Sequence, residues 1–353
     1  MNNAAGFLLT LVAGTSVGVS MWPLKWARVW KWENFWLFYS LFSLIIMPFG
    51  LAFSVLPHLD RVYASLSFHQ IFLPFSFGVL WGFAQLGAGI CVHRLGLAVA
   101  GAVLNGTGAA FGTIIPLISL HREMVLQTSG LLILGGISMM MFGAGFCGWS
   151  GYLREMEAKQ KGIGAGFAQQ EAAMRQSSVS SSVYLLTIGI AVGAGVLSSL
   201  LNIALAYGGG IMKLAQSEGG QISWTPFAVW PIALLGGAIA NVGYAAYLLS
   251  KNKSWGNFTR HGFREILNPI LSAGLWMAGV ALYSSGTTFL GSLGISIGFA
   301  VFMITMIVSG QAAGLLTGEW HQMRPRTYRP FVAGIGLLVM AVLVIGFSRY
   351  FER

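Results

Sequence analysis

Residues 97–120 read LAVAGAVLNGTGAAFGTIIPLISL, twenty-four positions without one Asp, Glu, Lys, Arg or His. About twenty apolar residues in a helix cross the hydrocarbon core of a bilayer. In lipid every backbone N–H and C=O must be bonded within the segment, so a run of this kind is a helix. Its strongest polar group is one amide, Asn105, flanked by glycines that let neighbouring helices approach closely.

Nine further runs repeat the pattern. The ten are 4–24, 35–56, 70–92, 97–120, 126–152, 181–206, 226–250, 266–289, 290–316 and 331–347, and none contains Asp, Glu, Lys or Arg. Of the 353 residues 56% are hydrophobic and only 8% charged, against about 25% charged in soluble domains. A soluble globular protein is thereby excluded. The 48 glycines follow no G-X-Y period, which excludes collagen. Continuous runs in place of alternating ten-residue strands exclude a β-barrel. The expected fold is an all-α polytopic membrane protein of ten transmembrane helices. Met1–Ala5 lacks the basic residues of a secretory signal, so the first run is expected to stay as a transmembrane helix.

The net charge of +10 would suggest nucleic acid in a soluble protein. Here the basic residues fall in short loops, so the bilayer and its anionic headgroups are the expected partner, with no nucleic acid and no required protein partner. Of the 20 Lys and Arg, 15 lie in the loops after runs 1, 3, 5, 7 and 9. That bias puts those loops in the cytoplasm, in a cell inner membrane, and both termini outside. The longest polar stretch, 153–180, falls near the midpoint as a cytoplasmic linker. It divides the chain into two five-helix repeats, 1–152 and 181–353. Five is odd, so the second repeat must enter the membrane inverted, as in many secondary transporters. Leu80-Trp81 with Leu95-Gly96 maps onto Leu275-Trp276 with Leu290-Gly291 at one offset of 195, a trace of that duplication.

The chemistry of the runs is neutral. With no buried ionisable group, a charged substrate lacks its counter-ion. A metal lacks carboxylate, imidazole or thiolate ligands. Cys91 and Cys147 sit in apolar runs with no metal or redox spacing, and no disulfide is expected. Phosphate-loop and hydrolase motifs are absent, so neither ATP hydrolysis nor an enzyme is indicated. What the runs hold are amides (Gln85, Asn105, Asn202, Asn241), rings (Trp81, Trp276, Tyr283) and hydroxyls such as Ser199. An amide offers donor and acceptor together, as a polyol requires. Aromatic faces suit the C–H faces of a sugar ring. These eight residues are the expected substrate-binding set, though the same polar groups also serve helix packing. Trp22, Trp26, Trp30, Trp32 and Trp36 lie near a membrane boundary and read as interface anchors. Glu33 opens run 2, where an anion is favoured by the helix dipole; it is also the candidate for proton coupling. Glu319 reads as a structural partner of Arg324, Arg326 and Arg329.

Several short segments stand out in order along the chain: Trp22-Pro23-Leu24-Lys25, Trp30-Lys31-Trp32-Glu33, Leu80-Trp81-Gly82, Arg94-Leu95-Gly96, Gly236 to Gly243, Leu275-Trp276 and Gly318-Glu319-Trp320. Together they resemble the L-rhamnose–proton symporter family, a branch of the drug/metabolite transporter superfamily. The resemblance runs from about residue 10 to the C-terminus. It implies ten helices in two halves, import of a deoxy-sugar with a proton, a proton gradient as the energy source and no cofactor. The chain departs from the family pattern at Gln85 and Gly87, at Met277 to Tyr283 and at Gly294 to Phe299. The competing readings are a drug or metabolite exporter or exchanger of the same superfamily, which would need a membrane-embedded carboxylate for a cation, and a receptor that binds without flux.

Overall fold

The computed structural model describes residues 3–26, 29–95, 97–160, 181–259, 263–316, 318, 320 and 323–351. Among the described residues there is no strand. Ten helical stretches are long and apolar enough to cross a membrane, as the runs require. They are span 1 (Asn3–Leu24), span 2 (Trp32–Val55), span 3 (Phe68–Cys91), span 4 (Val99–Leu120), span 5 (Thr128–Arg154), span 6 (Leu185–Ser217), span 7 (Ile222–Lys251), span 8 (Glu265–Phe289), span 9 (Gly294–Leu316) and span 10 (Pro325–Ser348).

Three ends differ from the sequence reading, each for a local reason. The helix of span 5 continues to Gln160, so the first eight residues of the expected linker are helical; 161–180 lie outside the described residues. Span 10 begins at Pro325, which opens a helix without sacrificing an N–H bond, and carries Arg326 and Arg329 in its first turns. Span 6 runs on to Ser217 as three pieces, Ser181–Ser198, Leu200–Tyr207 and Gly209–Ser217, broken at Ser199 and Gly208. Span 2 widens over Phe42–Ile46, just before Pro48. A proline lacks the N–H that regular i−4 bonding needs, and a wider turn absorbs the defect.

Packing is organised by span. Span 1 lies on spans 8 and 9; span 6 lies on spans 3 and 4. Span 3 packs on 7 and span 2 on 8; span 4 packs on 5 and span 9 on 10. Spans 2 and 7, 4 and 9, and 5 and 10 meet directly. The closest crossings are at glycines. A Cβ on Gly14 would lie 2.4 Å from the Phe302 carbonyl oxygen, and one on Gly78 only 1.7 Å from that of Ala233. The glycine rows at 101–108 and 189–195 contribute less than their sequence suggests: Gly108 and Gly195 are crowded, while Gly101, Gly189 and Gly193 face open space.

The basic loops bring buried carboxylates with them. Glu157, 6% exposed, accepts the Arg324 backbone N–H at 3.0 and 3.1 Å and the Thr327 hydroxyl at 2.8 Å. A carboxylate from span 5 thus caps the N-terminus of span 10, where orphan N–H groups and the helix dipole favour an anion. The Arg324 side chain is 70% exposed, and its 3.8 Å ion pair adds little. Glu157→Ala is expected to remove about 2 kcal/mol and to lower the melting temperature of purified protein by about 3 °C. An unchanged melting temperature would show that water replaces the cap. Glu319, read from sequence as the acidic partner of these arginines, lies outside the described residues.

Candidate functional site

A cavity of about 260 Å³ lies among spans 1–4 and 6–9. At roughly 30 Å³ per liquid water it holds about nine waters, the scale of one small polyol. Its lining contains no Asp, Glu, Lys, Arg or His. Seven of the eight residues expected to bind substrate line it: Trp81, Gln85, Asn105, Asn202, Asn241, Trp276 and Tyr283.

The hydrogen bonds divide the four amides into two kinds. Asn202 is committed to the protein: Nδ2 donates to the Gly112 carbonyl at 2.8 Å and Oδ1 accepts from the Tyr283 hydroxyl. Asn241 donates to the Gly237 carbonyl one turn back at 2.9 Å and accepts the Trp36 indole N–H at 3.2 Å. Gln85 and Asn105, on spans 3 and 4, line the cavity and have no hydrogen-bond partner among the described residues. Both are partly exposed into the cavity, so water meets their bonding capacity in the empty protein and a hydroxylated guest would take its place. The two uncommitted amides are therefore the groups best placed to read a ligand, whereas Asn202 and Asn241 first hold helices together.

The rings are the second component. Trp81 and Trp276, the pair related by the offset of 195, approach to 6.3 Å between centroids at 31°. Their indole N–H groups have no protein acceptor. Tyr283 packs at 5.1 Å against Phe302 and edge-on to Phe299 at 6.1 Å. Span 9 lines the cavity with Phe299, Phe302, Met303 and Met306 only.

Ser199 does not line the cavity. It is fully buried and donates to the Val196 carbonyl at 2.6 Å, while its neighbour Ser198 faces the cavity. One residue is a rotation of about 100° on a helix, so the sequence reading found the right place and the wrong face. Glu33 does not line the cavity either. It is 5% exposed, and its Oε1 accepts Asn252 Nδ2 at 3.0 Å and Ser254 Oγ at 2.7 Å from the turn after span 7. Among the described residues no ion pair involves it.

Four wall residues with hydrogen-bonding side chains lie outside the expected substrate-binding set: Trp36, Tyr39, Trp230 and Ser198. Trp36 and Trp30 had read as interface anchors. Trp30 is instead buried against Phe38 and Phe258, covered by the turn after span 7, and Trp36 enters the cavity. The usable signal was spacing: Trp36 and Tyr39 are three apart on one helix and share a face. Trp26, 57% exposed, remains an outward ring. Among the described residues no three His, Cys, Asp or Glu gather, and both cysteines are free thiols.

The site is thus a neutral, ring-lined chamber inside a ten-span bundle. Comparison with known proteins agrees with that architecture. The family model described as L-rhamnose-proton symport protein matches residues 1–349. Proteins named L-rhamnose-proton symporter from Shigella boydii serotype 18 and Escherichia coli strain SMS-3-5 are 25% and 24% identical, over 98% of this chain and 98% of theirs. The protein of that name from Mannheimia succiniciproducens is 24% identical over 97% of this chain and 96% of its own. These are membrane transporters, not enzymes. With the match running almost end to end, this multi-pass membrane protein belongs to the L-rhamnose-proton symport protein family.

Proposed function

We propose that the protein imports one neutral monosaccharide, L-rhamnose or a close relative, together with a proton, by alternating access of two inverted five-helix halves in a bacterial inner membrane. The observation that carries the reading is the cavity: no Asp, Glu, Lys, Arg or His in its lining, two amides without partners among the described residues, and four indoles from Trp36, Trp81, Trp230 and Trp276. Gln85 and Asn105 bond the hydroxyls, and Trp81 and Trp276 pack on the ring. The packing pattern supports the two-half plan. Advancing every span by five turns the contact of span 1 with 8 and 9 into that of span 6 with 3 and 4. It turns 3 on 7 into 8 on 2, and leaves 2 with 7, 4 with 9 and 5 with 10 unchanged. The 15 Lys and Arg beside the odd-numbered spans put that end, and the linker 153–180, in the cytoplasm.

The proton is assigned to Glu33. Its carboxylate is buried with neutral donors on one oxygen and no cation, so a proton on the other costs no ion pair. The sugar binds the occluded state more tightly than either open state, which is what drives closure. An exporter of cationic drugs finds no carboxylate in the cavity.

Purified protein in proteoliposomes tests the reading. Labelled L-rhamnose uptake is expected to saturate and to rise at least about tenfold over exchange background when the outside is made acid. Uptake that ignores the pH gradient would remove the proton and keep the carrier. Absence of any saturable sugar flux would remove both.

A further inference from the structure

We propose that Trp36 is a positioning residue that couples the sugar pocket to Glu33, within a two-level zipper between spans 2 and 7. The inference rests on the assignment of the proton to Glu33 and adds how the two guests sense one another. The first level is inside the cavity, where the Trp36 indole N–H donates to Asn241 Oδ1 at 3.2 Å. The second is at the rim. There Glu33 accepts Asn252 and Ser254, while Asn34 donates to the Ser254 carbonyl at 3.0 Å and accepts from Asn257 at 3.2 Å.

Both levels join the same two elements. Glu33, Asn34 and Trp36 share the helix Trp32–Leu41. Asn241 lies on the helix Trp230–Lys251, and Asn252 to Asn257 form the turn that leaves it. The Trp36 ring is held in place by Trp32, stacked at 4.9 Å and 15°, and by Tyr39 at 5.1 Å. Asn241 is pinned by its bond to Gly237. A hydroxyl that takes Asn241 Oδ1 therefore displaces the Trp36 N–H and opens the first level. A proton that enters from the outside with the sugar and reaches the free oxygen of Glu33 converts carboxylate to acid, so the bonds from Asn252 and Ser254 lose their charge assistance and the second level weakens. Either event alone leaves one level intact. Both together weaken both levels, leaving the two Asn34 bonds as the remaining rim tie between span 2 and the turn after span 7, and loosening only when both guests are bound is the condition symport requires. The charged residues of the segments that meet there are Lys31, Lys251, Lys253 and Glu265, the last accepting the Trp30 N–H at 3.4 Å. None of them pairs with Glu33. Arg260, His261 and the Arg264 side chain lie outside the described residues.

Two readouts on the full chain in proteoliposomes test this: accumulation of L-rhamnose under an inward proton gradient, and gradient-free exchange of labelled for unlabelled L-rhamnose. Wild type is read first, and its failure to exchange the sugar would sink the functional reading and not the coupling. Trp36→Phe keeps a ring and loses the N–H; Ser254→Ala removes a rim donor that does not line the cavity. Each is expected to lower accumulation at least about tenfold; exchange stays within about threefold of wild type for Ser254→Ala, which lies outside the cavity, and falls less than accumulation does for Trp36→Phe. Accumulation at the wild-type level in either variant overturns the proposal. So does an equal loss of exchange and accumulation in both, which is the behaviour of a plain wall or packing residue. If Trp36→Phe does not fold, Ser254→Ala decides by the same split.

Discussion

Asn105→Leu and Gln85→Met are each expected to raise the KM for L-rhamnose about tenfold, with the fold and the melting temperature preserved. Both side chains face the cavity without a protein partner. Replacing them by apolar groups of similar size leaves no orphan behind in the empty protein. In the loaded protein the sugar hydroxyls lose their partners, which costs about 1–2 kcal/mol per bond. If the two amides read different hydroxyls, the double variant should fall about a hundredfold; if they share one, the effects will not add. Asn202→Leu is expected to behave in the opposite way. It leaves the Gly112 carbonyl without its amide donor and the Tyr283 hydroxyl with only the Ile295 carbonyl at 3.5 Å, so the melting temperature should drop before affinity can be measured. Initial-rate uptake over a range of sugar concentrations, with melting curves on the same preparations, separates the two classes. A Gln85/Asn105 double variant with wild-type KM would move the binding site out of this cavity.

Gly78→Val should give no folded protein. A Cβ at position 78 would sit 1.7 Å from the Ala233 carbonyl oxygen and 2.7 Å from its carbon. The reciprocal crossing is as tight, with a Cβ on Gly236 2.2 Å from the Phe75 carbonyl oxygen. Both neighbours are backbone, so relief requires spans 3 and 7 to separate. That separation forfeits dispersion contacts along the whole crossing, at a cost of at least about 3 kcal/mol. In lipid no hydrophobic drive between helices compensates, because close packing is itself the source of association. Gly89→Ala is the control: nothing lies within 4 Å of its Cβ position, and a helical Gly→Ala change removes backbone entropy from the competing states. Yield of monodisperse protein after detergent extraction should fall to background for Gly78→Val and hold for Gly89→Ala. Normal yield of Gly78→Val would mean that spans 3 and 7 do not cross where the structure puts them.

The legible part of the site was its chemistry. An amide or an indole in an apolar run is rare enough to single out, and Trp81, Gln85, Asn105, Asn202, Asn241, Trp276 and Tyr283 do converge. Ser199 shows the limit. Serines 198 and 199 are indistinguishable as letters, and both hydroxyls bond a backbone carbonyl three residues back, yet at the break at 199 only Ser198 borders the cavity. Trp36 shows a second limit. Five tryptophans within fifteen residues look like a boundary belt, and only the turn after span 7 reveals that Trp30 is covered and Trp36 is part of a wall.

Composition and run length alone determined the ten apolar helices, because lipid leaves a charge-free stretch of twenty residues no other backbone form. They also pointed to an uncharged organic guest, since no run carries Asp, Glu, Lys or Arg to meet a charged one. Which amides are free and which are spent was decided only by tertiary structure. Gln85 and Asn202 carry the same functional group, and their difference lies in whether a carbonyl such as that of Gly112, ninety residues away in the chain, stands within 3 Å. The destiny of Glu33 was decided in the same way, by a turn more than two hundred residues further on that supplies both of its donors.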